Sequence, residues 1–206
     1  MIKIHNLYTN YTIIIKIINM KKYFLFMLLS ALTVTTFAQN EKYPGLAKSP
    51  MAMSYCPAGY PGLKVEDKEN NPLVARIIYC RPQINSRKIF DSLVEYKKVW
   101  RVGANEATEI DFFKPVTING KKIDAGRYTL YAIPDSAKWT IIINSETDTW
   151  GAYGYDEKKD VLRVDVPVQK QGTSIEALVI VFAKTATGAD LTIVWDNVKV
   201  ALPIQF

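Results

Sequence analysis

Residues 120–134 read GKKIDAGRYTLYAIP, a turn, a short bend and then a strong strand. Asn119-Gly120 and Asp124-Ala125-Gly126 are turn signals, because Asn, Asp and Gly reach the backbone conformations that tight reversals need. After them, Tyr128, Leu130 and Ala132 alternate with Arg127, Thr129 and Tyr131. A period of two puts one set on each face of a β-strand. The same period recurs downstream: Leu162, Val164, Val166 and Val168 alternate with Arg163 and Asp165, and Leu191, Ile193 and Trp195 with Thr192 and Asp196. Pro134-Asp135-Ser136, Thr187-Gly188-Ala189 and Asp196-Asn197 supply further turns. Closely spaced strands joined by tight turns predict an all-β fold, an antiparallel β-sandwich of the jelly-roll or immunoglobulin-like (Ig-like) kind. Residues 177–183 are apolar on both faces and predict a central strand covered on each side. Residues 88–99 carry Ile89, Leu93, Tyr96 and Val99 at steps of three or four and predict one short helix crossing a sandwich edge.

Upstream, Met20 opens an export-signal pattern: Lys21 and Lys22, the apolar run 24–34, then Thr36-Phe37-Ala38 with small residues where a signal peptidase reads. Residues 1–38 are therefore expected to be an upstream extension plus signal peptide, with Met20 the true start and cleavage after Ala38. Residues 39–62 hold four of the ten prolines and three of the ten glycines, and are expected to be an extended arm. Residues 63–206 are expected to form a single sandwich domain. The protein is expected to be exported, periplasmic or extracellular.

The formal charge is +6, but Lys3, Lys16, Lys21 and Lys22 leave with the leader and no acidic residue does, so +2 remains. No basic stripe survives to suit a phosphate backbone, and nucleic acid is not an expected partner. The run 24–34 is shorter than the roughly 18–20 residues that span a bilayer, and no later stretch lacks charges for that length. No membrane span is expected after signal removal. His5 is the single histidine, so the processed chain has no Ser-His-Asp or Cys-His nucleophile system and no His-ligated zinc. No metal or cofactor is expected. Cys56 and Cys80 are the only cysteines. An oxidising compartment permits a disulfide between them, worth about 3 kcal/mol in the chain-entropy picture; two separate half-buried thiols are the other reading.

Two groups of side chains carry candidate chemistry. Glu106, Glu109 and Asp111 are dense in acid, and on a strand Glu109 and Asp111 share a face with Cα atoms roughly 6–7 Å apart. A carboxylate pair suits cleavage of a glycosidic bond; a solvated strand face has the same spacing. The second group mixes rings and charges: Trp100, Arg101, Asn105 and Glu106 with Trp150, Tyr153, Tyr155, Asp156 and Arg163. Flat rings stack on the C–H faces of sugars while Asn, Asp and Arg hydrogen-bond their hydroxyls. The competing reading makes Trp100 and Trp150 anchors of the two sheets, with Arg101 and Arg163 pairing to Glu106 or Asp156 as internal struts.

Three stretches bring a family resemblance: Tyr79-Cys80-Arg81-Pro82 followed by Arg87-Lys88-Ile89-Phe90; residues 99–108, VWRVGANEAT; and residues 150–156, WGAYGYD, with Asp160-Val161-Leu162-Arg163. Over about residues 49–204 the chain resembles the DUF2911 family of exported bacterial proteins. The family name records an unknown function, so the resemblance implies fold and export and transfers no activity. Cys80 stands where a small hydroxyl residue is expected, which sets the cysteines apart from family machinery. Three functions remain in view. The first is a non-enzymatic, exported module binding a glycan or envelope polysaccharide. The second is a structural or protein-interaction module of the envelope. The third is a hydrolase using Glu106, Glu109 or Asp111.

Overall fold

A computed structural model describes residues 16, 17, 19–23, 43–68 and 72–206. Met20, Lys21 and Lys22 lie in a helical stretch, while the apolar run 24–34 and residues 36–38 of the export pattern lie outside the described residues. The chain divides into two units, Met1–Gly45 and Leu46–Phe206, and the second carries the β-structure. Among the described residues no helix is long and apolar enough to cross a membrane.

The strands are β1 (Met51–Cys56), β2 (Ala75–Cys80), β3 (Thr108–Phe112), β4 (Val116–Ile118), β5 (Lys121–Ile123), β6 (Gly126–Pro134), β7 (Lys138–Asn144), β8 (Asp160–Pro167), β9 (Gln169–Lys184) and β10 (Gly188–Gln205). They form a six-stranded sheet in the order β1-β2-β3-β6-β7-β8 and a four-stranded sheet in the order β5-β4-β10-β9, with antiparallel pairing throughout. The all-β sandwich expected from the period-two runs is what forms. Side-chain hydrogen bonds tie its two open sides. Ser54 Oγ donates to Ile180 O at 2.6 Å, and Lys121 Nζ donates to Val161 O at 2.5 Å.

The opening stretch folds as its residues require. Asn119 and Gly120 take positive φ, 50° and 76°, and reverse the chain between β4 and β5. On β6, Leu130 and Ala132 enter the core between the sheets. Thr129 and Tyr131, on the other face, are buried as well. Residues 145–159 explain this: they fold back over the outside of β6 and β7, where Tyr131, Ile142 and Ala107 make a second small core with Val99, Ile133, Ala152 and Tyr155. The strands covered on both faces are therefore β6 and β7, not residues 177–183. Those residues lie in β9 at the margin of its sheet, with Leu178, Ile180 and Phe182 inward and Val181 exposed. A run of consecutive apolar residues reads the same whether its outer face is covered or bare, and the covering loop landed on the other sheet. Residues 82–84 occupy β9's free edge instead, through Leu178 N to Pro82 O at 3.0 Å and Ile84 N to Glu176 O at 2.9 Å.

β10 folds back on itself. Phe206 N donates to Thr187 O at 3.2 Å, and a Cβ on Gly188 would lie 2.0 Å from Ile204 O, so the two ends of this 18-residue element lie side by side. Asp196 has φ 52°, which places the reversal at Asp196-Asn197, as the turn signal predicted. The burial phase agrees. Ala189, Leu191, Ile193 and Trp195 are buried before the turn and Val198, Val200, Leu202 and Ile204 after it. A two-residue turn keeps its flanking residues on one face and shifts the parity in this way.

Two further expectations need correction. Residues 88–99 form turns and isolated bridges, not a helix; Asp91 and Lys97 have φ 61° and 62°, which interrupts any helix. The apolar spacing is real but serves a loop that sends Ile89, Phe90 and Val94 into the core. The short helix is Tyr60–Val65. β1 lies within the stretch 39–62 read as an extended arm, and that helix begins there; β1 is a full sheet strand, paired from Met51↔Cys80 to Cys56↔Ala75.

At the centre of the sandwich Trp139 from one sheet and Trp195 from the other meet Phe90 and Trp100 from the loop between β2 and β3. Trp100 stacks on Trp195 with centroids 6.1 Å apart and presents its edge to Trp139 at 5.7 Å. Such pairs add to the burial of their area.

Candidate functional site

The candidate site lies on the outer face of the six-stranded sheet, at the Cys80 end of β2. Along β2, Ala75, Ile77 and Tyr79 are buried in the core, so Arg76, Ile78 and Cys80 face out. The loop 99–107 then crosses that face. Gly103 lies so close to β2 that a Cβ would sit 3.2 Å from Cys80 O and 3.3 Å from Thr108 Oγ1. Thr108 Oγ1 fixes the bend by donating to Val102 O at 2.8 Å. Residues 105–107 run beside 149–151, with Gly151 N donating to Asn105 O and Ala107 N to Thr149 O, both at 3.0 Å. Glu106 and Trp150 are thereby cross-strand neighbours. Gly151 has φ 68°, a conformation glycine adopts freely, and it allows the ring of Tyr153 to lie over it, 3.0 Å from where a Cβ would be. Arg101 Nη1 approaches the same point to 4.0 Å.

Trp150 is 61% exposed and Tyr153 89%, so two rings stand free beside Arg101, Asn105 and Glu106. Arg101 forms no ion pair among the described residues, and its Nε is buried without a partner. Below them, the Cys80 thiol donates to Glu106 Oε2 at 3.7 Å and accepts from Asn105 Nδ2 at 3.9 Å. Burial, and then the Glu106 carboxylate, push this thiol above its ordinary range, against the pull of Asn105 and Arg101. Cys80 is therefore a protonated donor at neutral pH.

Trp100 is elsewhere. At 9% exposure it belongs to the aromatic core, in the anchoring role weighed against it. Tyr155, Asp156 and Arg163 form a separate strut. Asp160 receives Tyr155 Oη–H at 2.6 Å, Arg163 Nε at 2.6 Å and Asn144 Nδ2 at 2.7 Å. Arg163 Nη2 also donates to Tyr155 Oη at 2.5 Å. Asp156 caps the 3₁₀ turn Glu157–Lys159, accepting from Lys158 N at 3.0 Å, and its carbonyl accepts from Asn144. The strut pins the loop that carries Trp150 and Tyr153.

The Tyr155 phenol is pushed up to about 12 by burial first and by its bond to Asp160 second. A proton held more tightly in the folded state contributes stability fully below the ordinary pKa of 10 and loses it as pH rises towards 12. The stability difference between wild type and Tyr155→Phe should therefore be constant below about pH 10 and shrink above it. Urea titrations at several pH values, with phenolate absorbance at 295 nm, check this; a difference that grows above pH 10 would contradict it.

Glu109 and Asp111 do share the outer face of β3, but both are engaged. Asp111 Oδ2 accepts from Arg76 Nη2 at 2.7 Å, Arg127 lies 3.6 Å from each acid, and Glu109 Oε1 accepts from Asp148 N at 2.7 Å. Glu106 points to Cys80 instead, so the three acids are not gathered at one centre. Among the described residues no group of three or more His, Cys, Asp or Glu side chains is placed to hold a metal ion. Cys56 and Cys80 are free thiols at opposite ends of the β1–β2 ladder. Five residues of strand separate them, roughly 17 Å, far beyond disulfide reach.

Residues 63–204 match the family described as "Protein of unknown function (DUF2911)". The chain belongs to the DUF2911 family. Comparison with curated proteins and with solved structures gives no match. The three stretches that carried the DUF2911 resemblance meet at one place in the fold: Cys80 from the first, residues 101–106 from the second, and residues 150–153 from the third. Sequence reasoning missed Cys80 as the floor of this candidate site, because nothing in the spacing shows that β2's last residue lies under the 99–107 loop. It also missed Asn144 and Asp160 as the centre of the strut. A signal was present: an Asn ending an apolar strand, opposite an Asp starting the next one.

Proposed function

We propose that the protein is a non-enzymatic β-sandwich which binds a glycan of the cell envelope after export, using Trp150, Tyr153, Arg101, Asn105 and Glu106. The carrying observation is a pair of free aromatic rings on a glycine-turned loop beside an unpaired guanidinium, an amide and a carboxylate. Rings supply apolar faces for sugar C–H groups, and the three polar heads supply donors and acceptors for hydroxyls. The loop is held by the Tyr155–Asp160–Arg163 strut, so little order has to be gained on binding. Trp150→Ala and Tyr153→Ala should each weaken glycan binding at least tenfold, about 1.4 kcal/mol. Both exposed substitutions should change folding stability by no more than about 0.5 kcal/mol. A glycan array followed by calorimetry tests this, and unchanged affinity in both folded variants would overturn it.

One observation favours a protein-interaction module of the envelope as a second reading. On β1, Met51 and Met53 are exposed on the same outer face, opposite Cys80 and Ile78, and adaptable methionines suit protein surfaces. Met53→Lys should leave glycan affinity intact if the sugar site is confined to the aromatic loop.

A further inference from the structure

At the other end of the β1–β2 ladder, below Cys56, a cavity of about 500 Å³ opens between the two sheets. That volume is within the range of small-molecule sites. Its walls are apolar, with Val74, Phe182 and Ala189 buried and Phe206 closing one side. Its charged side chains are of one sign. Lys114 and Lys184 line the cavity together with Thr185 and Thr187, and no acidic side chain lines it. Neither lysine forms an ion pair among the described residues. Lys114 Nζ instead sits 4.9 Å from the ring centroid of Phe206, a position that keeps the ammonium at the boundary between the apolar walls and solvent.

We propose that this cavity binds a single-tailed anionic amphiphile, its tail between Phe182, Val74 and Phe206 and its head group on Lys114 and Lys184. An apolar-walled volume takes up hydrocarbon from water, and two cations that form no ion pair, with no acidic side chain in the lining, favour a negative head. A neutral tail of the same length gains only the first of these. The site is independent of the aromatic loop, which lies at the Cys80 end of the ladder.

The test is fluorescence titration of the purified chain with cis-parinaric acid, followed by displacement. One saturable site is expected, emptied by laurate and not by dodecanol; displacement by dodecyl phosphate tells a phosphate-headed lipid from a free fatty acid as the better occupant. Lys114→Met should weaken binding about tenfold or more, the effect of losing one bond to a charged group. Ala186→Trp, an exposed turn position on the cavity rim, should block it while the far-ultraviolet spectrum stays that of wild type. Absence of saturable binding, displacement by dodecanol as effective as by laurate, or wild-type affinity in both variants would each overturn the proposal.

Discussion

Trp100→Ala is expected to cost about 3–5 kcal/mol of folding stability, the range for deleting a large buried aromatic. Trp100 does not belong to a regular strand, yet its main chain exchanges two hydrogen bonds with Ala132, at 2.7 and 2.9 Å, and its ring fills the space between Trp139 and Trp195. Removing it strips one partner from both tryptophans. A cavity lined by Trp100 and Trp195 already adjoins the place, so the walls have little with which to close the gap. Urea unfolding should show a lowered midpoint with an unchanged slope. A loss under about 1 kcal/mol would mean the ring is not an anchor. Because residues 101–106 follow directly, the variant should also loosen Glu106 over Cys80 and raise thiol reactivity at Cys80.

Gly188→Ala is expected to cost about 3 kcal/mol, at the upper end of what overpacking does. The added methyl would meet Ile204 O at 2.0 Å and Ile204 C and Gln205 Cα at 3.0 Å, all of them backbone. No side chain can swing aside, so the two ends of β10 must part and the bond from Phe206 N to Thr187 O must lengthen. Gly172→Ala in β9 is the control, since nothing lies within 4 Å of its Cβ position; it should stay within about 0.5 kcal/mol of wild type. Equal effects of the two substitutions on the thermal midpoint would refute the close approach.

The candidate site was half legible. Trp150, Tyr153, Arg101, Asn105 and Glu106 were singled out by residue type and do come together. Trp100, Tyr155, Asp156 and Arg163 looked the same on paper and are a core anchor and a strut. Residue chemistry cannot separate these roles: a tryptophan stacks on a sugar or on another tryptophan by the same forces, and an Arg–Asp–Tyr cluster binds hydroxyls or braces a loop with the same hydrogen bonds. Glu109 and Asp111 were rightly placed on one face, but their partner Arg127 comes from the neighbouring strand β6, a pairing that no local spacing contains.

Period two and turn chemistry were sufficient for the all-β class, for the strand at 126–134, and for the reversals at Asn119-Gly120 and Asp196-Asn197. These are local properties, set by which side of a pleat a residue occupies and which φ it tolerates. Tertiary structure alone settled which strands are covered twice, how β10 doubles back, that residues 88–99 are a loop, and which aromatics are left in water. Those outcomes depend on where a distant segment lands: the 145–159 loop covers β6 and β7 and leaves β9 bare. Burial is a relation between segments far apart in the chain, and only folding fixes which of them meet.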